Sequence, residues 1–435
     1  MKNNIYRYLF FAIVLFYALF LSQFGLENWD TGYITSFSWR IVNGAAPYDD
    51  FIYKGPPVML YLHALWLEVL PEVGQFYFVR LVNYLLFALQ VFLTISAFNR
   101  IYDFKKLGCN KWALMSLGFV VSLLNFPAFP WPTTDGLLFA SGALYLMANT
   151  NPANLSRLFI IALLCMLSAL TKQSFYLVPI IFLVWVFVKD GLYRSLFFLL
   201  SLMILTACYY YFITTITSWE RYIQLTTGET NLEGLIYVGI HEYKAFFRDV
   251  FILVPIIVLS AVVAYLKRKQ SDSLYLSFFR WFPVGVLAAA IVLCLLNEIR
   301  IASRVALVAS AILVAYALMV RKESVKQLAP IIVAMGIAWC ASISFGYSYP
   351  IFYATGIMVC IIVLAHAEIS ELMARNYVSA TAVIIGMIAF SNNYRLYREQ
   401  PLPMLTYPME AISPKLKYIK THQENYDKHL DLKSL

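Results

Sequence analysis

The sequence predicts an all-α polytopic membrane protein with about 13 transmembrane helices and with interfacial helices in its first periplasmic loop. Of its 435 residues, 61% are hydrophobic and 13% are charged, and the mean hydropathy is +0.70. Soluble domains are far more polar than this. The apolar residues also form continuous runs, which favour helices over the alternating strands of a membrane β-barrel.

The segments between the apolar runs predict the topology. Residues 1–7 are basic and precede the first run, which we expect to be an uncleaved helix with a cytoplasmic N terminus. With this orientation, nearly all short Lys/Arg clusters fall on the cytoplasmic side, and an odd number of spans places the C terminus in the periplasm. The candidate spans are residues 8–22, 79–98, 112–127, 136–149, 157–171, 175–188, 195–213, 248–266, 281–297, 304–320, 328–344, 350–366 and 377–391.

The predicted organisation is one transmembrane domain over residues 1–391, followed by a short periplasmic tail over residues 392–435. Two long periplasmic loops interrupt the domain, at about residues 23–78 and 214–247. The tail is polar and basic, and it has too few apolar residues for an independent core. We expect the first loop to carry most of the chemistry.

Two interfacial helices are predicted in the first loop. One lies between Asp30 as N-cap and Gly44 as C-cap, with apolar residues at helical spacing. The other covers Val58 to Leu70, which is too short for a full span. If this segment crossed the membrane, the basic cluster between Arg100 and Lys111 would be translocated. We therefore expect both helices to lie at the periplasmic surface.

Composition and motifs exclude several function classes. The net charge of +9 is spread through short loops and forms no stripe, so no nucleic-acid partner is expected. Five of the six cysteines lie in apolar runs without CxxC spacing, so we expect neither a disulfide framework nor a metal site. There is no phosphate-binding glycine loop, zinc-protease motif or serine-hydrolase motif.

The first loop contains the strongest catalytic candidate, Asp30. This carboxylate lies beside Trp29, with Tyr33 about one helical turn further on. A carboxylate at a membrane face is costly unless it has a task. Asp30 could act as a general base that removes the proton of an acceptor hydroxyl, and one base suffices for a displacement with inversion. The alternative is that Asp30 only caps the helix that follows.

Cationic residues at later loop boundaries could bind a phosphate. Lys54 precedes a Gly-Pro-Pro sequence and could face a phosphate at the headgroup level, or bind ordinary anionic lipid. Lys172 lies between two spans on the same predicted side, and Arg300 and Arg304 would share one helix face. Together they suit a phosphate leaving group whose charge must be neutralised.

Further polar residues are predicted on the periplasmic side. Asp135 follows a proline-rich turn and opens the fourth span, where it is a second catalytic candidate or an N-cap. Aromatic residues could stack on sugars, although interfacial belts use the same residues. The candidate contacts to acceptor or sugar are Glu27, Trp29, Tyr33, Asp49, Asp50 and His241.

Six stretches within the first 190 residues carry a family resemblance. They are Trp29-Asp-Thr-Gly-Tyr, Arg40-Ile-Val-Asn-Gly-Ala-Ala-Pro-Tyr-Asp-Asp-Phe, Lys54-Gly-Pro-Pro-Val-Met-Leu-Tyr-Leu, Val79-Arg-Leu-Val-Asn, Thr134-Asp-Gly-Leu-Leu-Phe and Leu170-Thr-Lys-Gln. In order and spacing they resemble the membrane glycosyltransferases of the GT-C fold, specifically the protein-mannosyltransferase and lipid A aminoarabinose-transferase-like superfamily.

The resemblance implies a function and roles for matching residues. Asp30 would be the catalytic base and Lys54 would help to hold the polyprenyl phosphate, while Asp135 and Lys172 match further family positions. The chain departs from the family pattern at Gly55, which separates the lysine from the prolines, and it carries a short tail where many relatives have a large soluble domain.

The expected protein is an inverting glycosyltransferase of the bacterial inner membrane, surrounded by membrane lipids. It would take a sugar from a polyprenyl-phosphate-linked donor to a hydroxyl of a glycan, lipid or protein acceptor in the periplasm. The donor is a substrate, and the resemblance implies neither a further cofactor nor a catalytic metal.

Two alternatives remain open. A flippase or transporter for lipid-linked sugars would need charged groups within spans and two related halves. A polysaccharide polymerase or ligase would use a diphosphate donor and depend on residues of the later loop.

Overall fold

The computed structural model describes residues 2–26, 32–105, 110–123, 129–149, 152–227, 325–342 and 399–434. This part of the chain is mostly helical, as the sequence predicts. Within these ranges, three helices are long and apolar enough to cross a membrane, and they are Gln75–Tyr102, Gln173–Asp190 and Leu192–Ile216. Shorter apolar helices pack around them.

The helices before the second long loop run in chain order. They are α1 (Lys2–Leu21), α2 (Tyr33–Val42), α3 (Val58–Val69), α4 (Gln75–Tyr102), α5 (Lys111–Leu123), α6 (Pro132–Met147), α7 (Leu155–Ala169), the 3-10 helix Gln173–Leu177, α8 (Val178–Asp190), α9 (Leu192–Ile216) and α10 (Trp219–Thr227). Further along are α11 (Val325–Ser342), the 3-10 helices Leu402–Met404, Met409–Ala411 and Pro414–Leu416, and α12 (Gln423–Ser434).

Eight of the predicted spans coincide with described helices, namely α1, α4 to α9 and α11. The predicted second loop is shorter at its start than expected, because α9 continues to Ile216 and α10 follows. The span total stays a prediction. The predicted spans outside the described residues are 248–266, 281–297, 304–320, 350–366 and 377–391.

Helix α6 packs between α4 and α7. Its buried face includes Ala140 and Ala143, both fully shielded. Small side chains let helix backbones approach closely, which favours packing where lipid is as apolar as the helix surface. Pro132 at the first helical position, with Trp131 at the N-cap, fixes where α6 begins.

Basic side chains gather at one end of the bundle, which we call the basic end. There Arg7 of α1 lies over the ring of Trp112 of α5, 5.8 Å from its centroid. Arg100 at the end of α4 donates to the Tyr145 carbonyl of α6 at 3.3 Å. Lys189 of α8 donates to two carbonyl groups at and beyond the end of α6, each at 2.6 Å. This grouping agrees with the predicted alternation of loops.

The opposite end, which we call the loop end, carries α2 and α3. Both predicted surface helices are confirmed as helices, α2 at Tyr33–Val42 and α3 at Val58–Val69. They share a small core with the ends of α7 and α9 and with α10, built around Tyr48, Met59 and Tyr222. The first loop is thus a packed layer on the bundle.

The predicted caps of α2 need correction. Position 30 is not the N-cap, because the helix begins at Tyr33 and Gly32 occupies that position. At the other end Asn43 is the C-cap, and Gly44 follows with a φ of +85°. Gly44 and the next residue donate backward to the Ile41 and Arg40 carbonyls, an end motif that requires a left-handed residue.

The tail is tied to the start of the first loop and of α4. Its two short strands, Tyr407–Pro408 and Lys420–Thr421, pair antiparallel. Lys420 also exchanges backbone hydrogen bonds with the loop, donating to Gln23 at 2.7 Å and accepting from Gly25 at 2.8 Å. The small core of the tail includes Leu26. As predicted, the tail has no core of its own, and it lies at the loop end.

Candidate functional site

A buried hydrogen bond joins α3 to α6 at the loop end. The Nε2 atom of His63 lies 2.8 Å from Oδ2 of Asp135. The two side chains are only 3% and 2% exposed, so water cannot solvate this carboxylate fully. A buried carboxylate is stable only with a polar partner, and His63 supplies it.

The helix start determines why Asp135 is available for this contact. The prediction that Asp135 could be an N-cap is wrong, because α6 begins three residues earlier at Pro132. Asp135 therefore lies within the first turn. A carboxylate in a first turn is favoured by the helix dipole, and its side chain points to a neighbour rather than to its own backbone.

His63 is a site residue that the sequence predictions missed. It lies on the buried face of α3, at helical spacing from Met59 and Leu67. A single histidine on the face of an otherwise apolar helix was the available signal. Its partner lies 72 positions away, and one sequence does not reveal such a contact.

Tyr53 is the next residue around this carboxylate. It is 3% exposed, and its ring centroid lies 6.4 Å from that of Tyr33. Burial raises the pKa of the Tyr53 hydroxyl, and Tyr33 and Asp135 raise it further. Tyr53 therefore stays neutral at physiological pH and presents a hydroxyl group near Asp135.

Lys172 lies against the first turn of the same helix. It precedes the 3-10 helix Gln173–Leu177, and its Nζ atom lies 3.5 Å from Oγ1 of Thr133. Burial lowers the pKa of Lys172 to about 8. The amine is thus a cation in a poorly solvated position, which increases its attraction for an anion.

Gly136 allows this close approach. A Cβ atom at this position would lie 2.7 Å from the ring of Phe175 and from the hydroxyl of Thr171. Ser168 of α7 also donates to the Gly136 carbonyl at 2.8 Å. The segment that carries Lys172 can therefore rest directly on the backbone of α6.

The predicted phosphate residue Lys54 is brought to the same segment through its backbone. Its carbonyl accepts a hydrogen bond of 2.6 Å from the side chain of Gln173, the residue after Lys172. The Lys54 side chain is exposed. Tyr48 donates to the Gly55 carbonyl at 2.6 Å and so fixes the turn that follows Lys54.

Asp49 and Asp50 have partners within the protein. Asp49 accepts a hydrogen bond of 2.6 Å from Thr217 and lies 3.7 Å from Arg221. Asp50 accepts from the backbone of Ala46 at 2.7 Å. These contacts give both carboxylates a role in holding the first loop, and their predicted contact with an acceptor stays a prediction.

We call Tyr53, His63, Asp135 and Lys172 the loop-end cluster. Tyr33 is 40% exposed beside it. In the part of the chain that the structure describes, no three His, Cys, Asp or Glu side chains are placed to hold a metal ion. The remaining predicted site residues lie outside the described residues, and they are Glu27, Trp29, Asp30, His241, Arg300 and Arg304.

Comparison with known proteins adds no relative. No protein-family model, curated protein or solved structure matches this chain.

Proposed function

We propose that the protein is an integral membrane glycosyltransferase of the GT-C kind. It takes a sugar from a polyprenyl-phosphate carrier and transfers it to a hydroxyl group of a glycan, lipid or protein on the periplasmic side of a bacterial inner membrane. The observation that carries the proposal is the loop-end cluster, in which the His63–Asp135 pair and Lys172 contact the same first turn of α6.

The proposed reaction is a single displacement with inversion. The acceptor oxygen forms a bond to the anomeric carbon as the bond from that carbon to the phosphate oxygen breaks. The phosphate keeps the electron pair of the broken bond, and a carboxylate takes the acceptor proton. In this scheme Asp30 is the base, and Asp135 orients the acceptor or positions Asp30.

The cations have the complementary task. Polyprenyl phosphate gains negative charge as it leaves, and preorganised cations stabilise that charge in the transition state. Lys172 is suited to this because it is poorly solvated and close to α6. Lys54 follows as the second cation because its backbone is bound to Gln173. One of Arg300 and Arg304 would be the third.

The location of the cluster suits a lipid-linked donor. A polyprenyl carrier keeps its chain in the bilayer and its phosphate at the headgroup level. The cluster lies at the ends of helices, between the bundle and the surface helices α2 and α3. A donor phosphate and a water-soluble acceptor can meet at such a boundary.

The test is mass spectrometry of cell-surface glycans with and without the gene, followed by complementation with variants. We expect Asp30→Asn and Asp135→Asn to abolish the gene-dependent glycan at unchanged protein level. The matched control is Asp190→Asn, which alters a carboxylate at the basic end that accepts a hydrogen bond from Ala153. If both loop-end variants restore the full glycan profile, the proposal is wrong.

A further inference from the structure

His63 is the feature of the loop-end cluster to which no role is yet assigned. It comes from α3, a surface helix, whereas Asp135 comes from α6 of the bundle. The hydrogen bond between them is 2.8 Å long and buried on both sides. A bond of this kind restricts the orientation of the carboxylate, because one of its two oxygens is occupied.

The surroundings of Asp135 point to the same conclusion. Among the described residues, His63 is the side chain that hydrogen-bonds to this carboxylate. The Asp135 backbone is fixed by the first turn of α6, through its bond to the Trp131 carbonyl at 3.2 Å. One bond to the backbone and one to the carboxylate together leave a single direction for the second carboxylate oxygen.

We infer that His63 is a positioning residue, which holds the Asp135 carboxylate in the orientation needed for sugar transfer by its Nε2–Oδ2 hydrogen bond. This inference rests on the proposed function. His63 acts through Asp135, in the way that the partner of a catalytic carboxylate or imidazole fixes its geometry. It also makes the seating of α3 on the bundle a condition for activity.

The side-chain length of the replacement gives a sharp test. In His63→Gln, the amide nitrogen can take the place of Nε2 and donate to Oδ2. In His63→Asn, the amide has the same polarity but is one methylene too short to reach that oxygen. The matched control pair is His429→Gln and His429→Asn, since His429 contacts only the Asn425 carbonyl of its own helix among the printed distances, at 2.8 Å.

The measurement uses full-length protein in detergent, with a lipid extract of the source cells as donor and the gene-dependent glycan product quantified by mass spectrometry. We expect His63→Asn to lower kcat by about 10-fold or more with little change in the KM for donor lipid. His63→Gln should restore most of the rate, and both His429 variants should match the wild-type protein. Rates are normalised to monodisperse folded protein.

A double-mutant cycle separates positioning from a general loss of structure. If His63 acts through Asp135, His63→Asn should have little effect on the residual rate of Asp135→Asn. Equal rates for His63→Asn and wild type would overturn the inference and leave the proposed function standing. If wild-type protein transfers no sugar while the two positions remain coupled in the melting temperature, the proposed function fails and the pair is only a structural clamp.

Discussion

The side-chain amide of Asn425 donates a hydrogen bond of 2.6 Å to the carbonyl of Leu26, across 399 positions of sequence. Asn425 is 2% exposed, and the same amide nitrogen reaches the hydroxyl of Thr421. The last helix of the tail therefore holds the start of the first loop in a buried contact. Since Leu26 precedes the segment that contains Asp30, the tail belongs structurally to the loop end.

The first prediction follows from this contact. Asn425→Ala leaves the Leu26 carbonyl without its donor, and a buried acceptor without a partner costs about 1 to 3 kcal/mol. We expect a lower melting temperature in detergent. The control is Asn43→Ala, which removes an exposed bond of 2.7 Å to Trp39 within one turn of chain. Similar melting temperatures for the two variants would contradict the role of the tail.

The second prediction concerns Gly136. Gly136→Ala places a methyl group 2.7 Å from the buried Phe175 ring and Thr171 hydroxyl, so the segment before Lys172 must shift. We expect lower stability and a lower transfer rate, although alanine is the better helix former by about 1 kcal/mol. Thermal unfolding and the glycan assay measure both effects.

The control for this change lies on the same helix. Gly142→Ala meets only the flexible end of Leu164, at 3.3 Å, which can move by a few tenths of an ångström. The helix propensity should then decide the result, and stability should be unchanged or slightly increased. A Gly136→Ala variant as stable and active as Gly142→Ala would show that the close approach has no function.

The third prediction is a pH dependence caused by Lys172. Burial lowers the pKa of Lys172 to about 8, so the amine loses its proton at a lower pH than an ordinary lysine does. The kcat/KM for donor should fall as pH rises through about 8, because the cation that binds phosphate is lost. Lys172→Met should have a low rate without this alkaline decline, and the control Lys417→Met should retain it.

Linkage gives the matching change in stability. Above pH 8 the unfolded chain still binds this proton, up to the ordinary lysine pKa of about 10.4, whereas the folded chain does not. The free energy of unfolding should therefore gain a favourable contribution from Lys172 as pH rises across this interval. That contribution should be absent in Lys172→Met. A pH dependence identical in the two proteins would exclude a depressed pKa.

Sequence patterns predicted the helices better than the contacts between them. Continuous apolar runs and helical spacing identified α1 to α9 because membrane solvation acts on each segment separately. The position of His63 opposite Asp135 depends on how α3 and α6 pack, 72 positions apart, and the Asn425–Leu26 contact spans 399. Local propensity contains no information about such pairs.

Helix caps show the same limit on a smaller scale. An aspartate before an apolar run is a good N-cap candidate, yet both candidates failed, because Gly32 and Trp131 occupy the cap positions. At Asp135 a proline fixed the start of the helix earlier than the carboxylate would have done. The side chain was thereby left for a tertiary contact, which is where the site chemistry depends on it.

The last prediction concerns orientation, on which access of donor and acceptor depends. Asn43 is exposed after α2 at the loop end, and Tyr193 is 73% exposed where α9 begins at the basic end. In a cysteine-free background, which also removes the exposed Cys208, we expect an impermeant maleimide to label Asn43→Cys in intact spheroplasts. Tyr193→Cys should be labelled only after permeabilisation, because basic ends of membrane helices face the cytoplasm. The reverse pattern would place the loop-end cluster in the cytoplasm, where a periplasmic acceptor could not reach it.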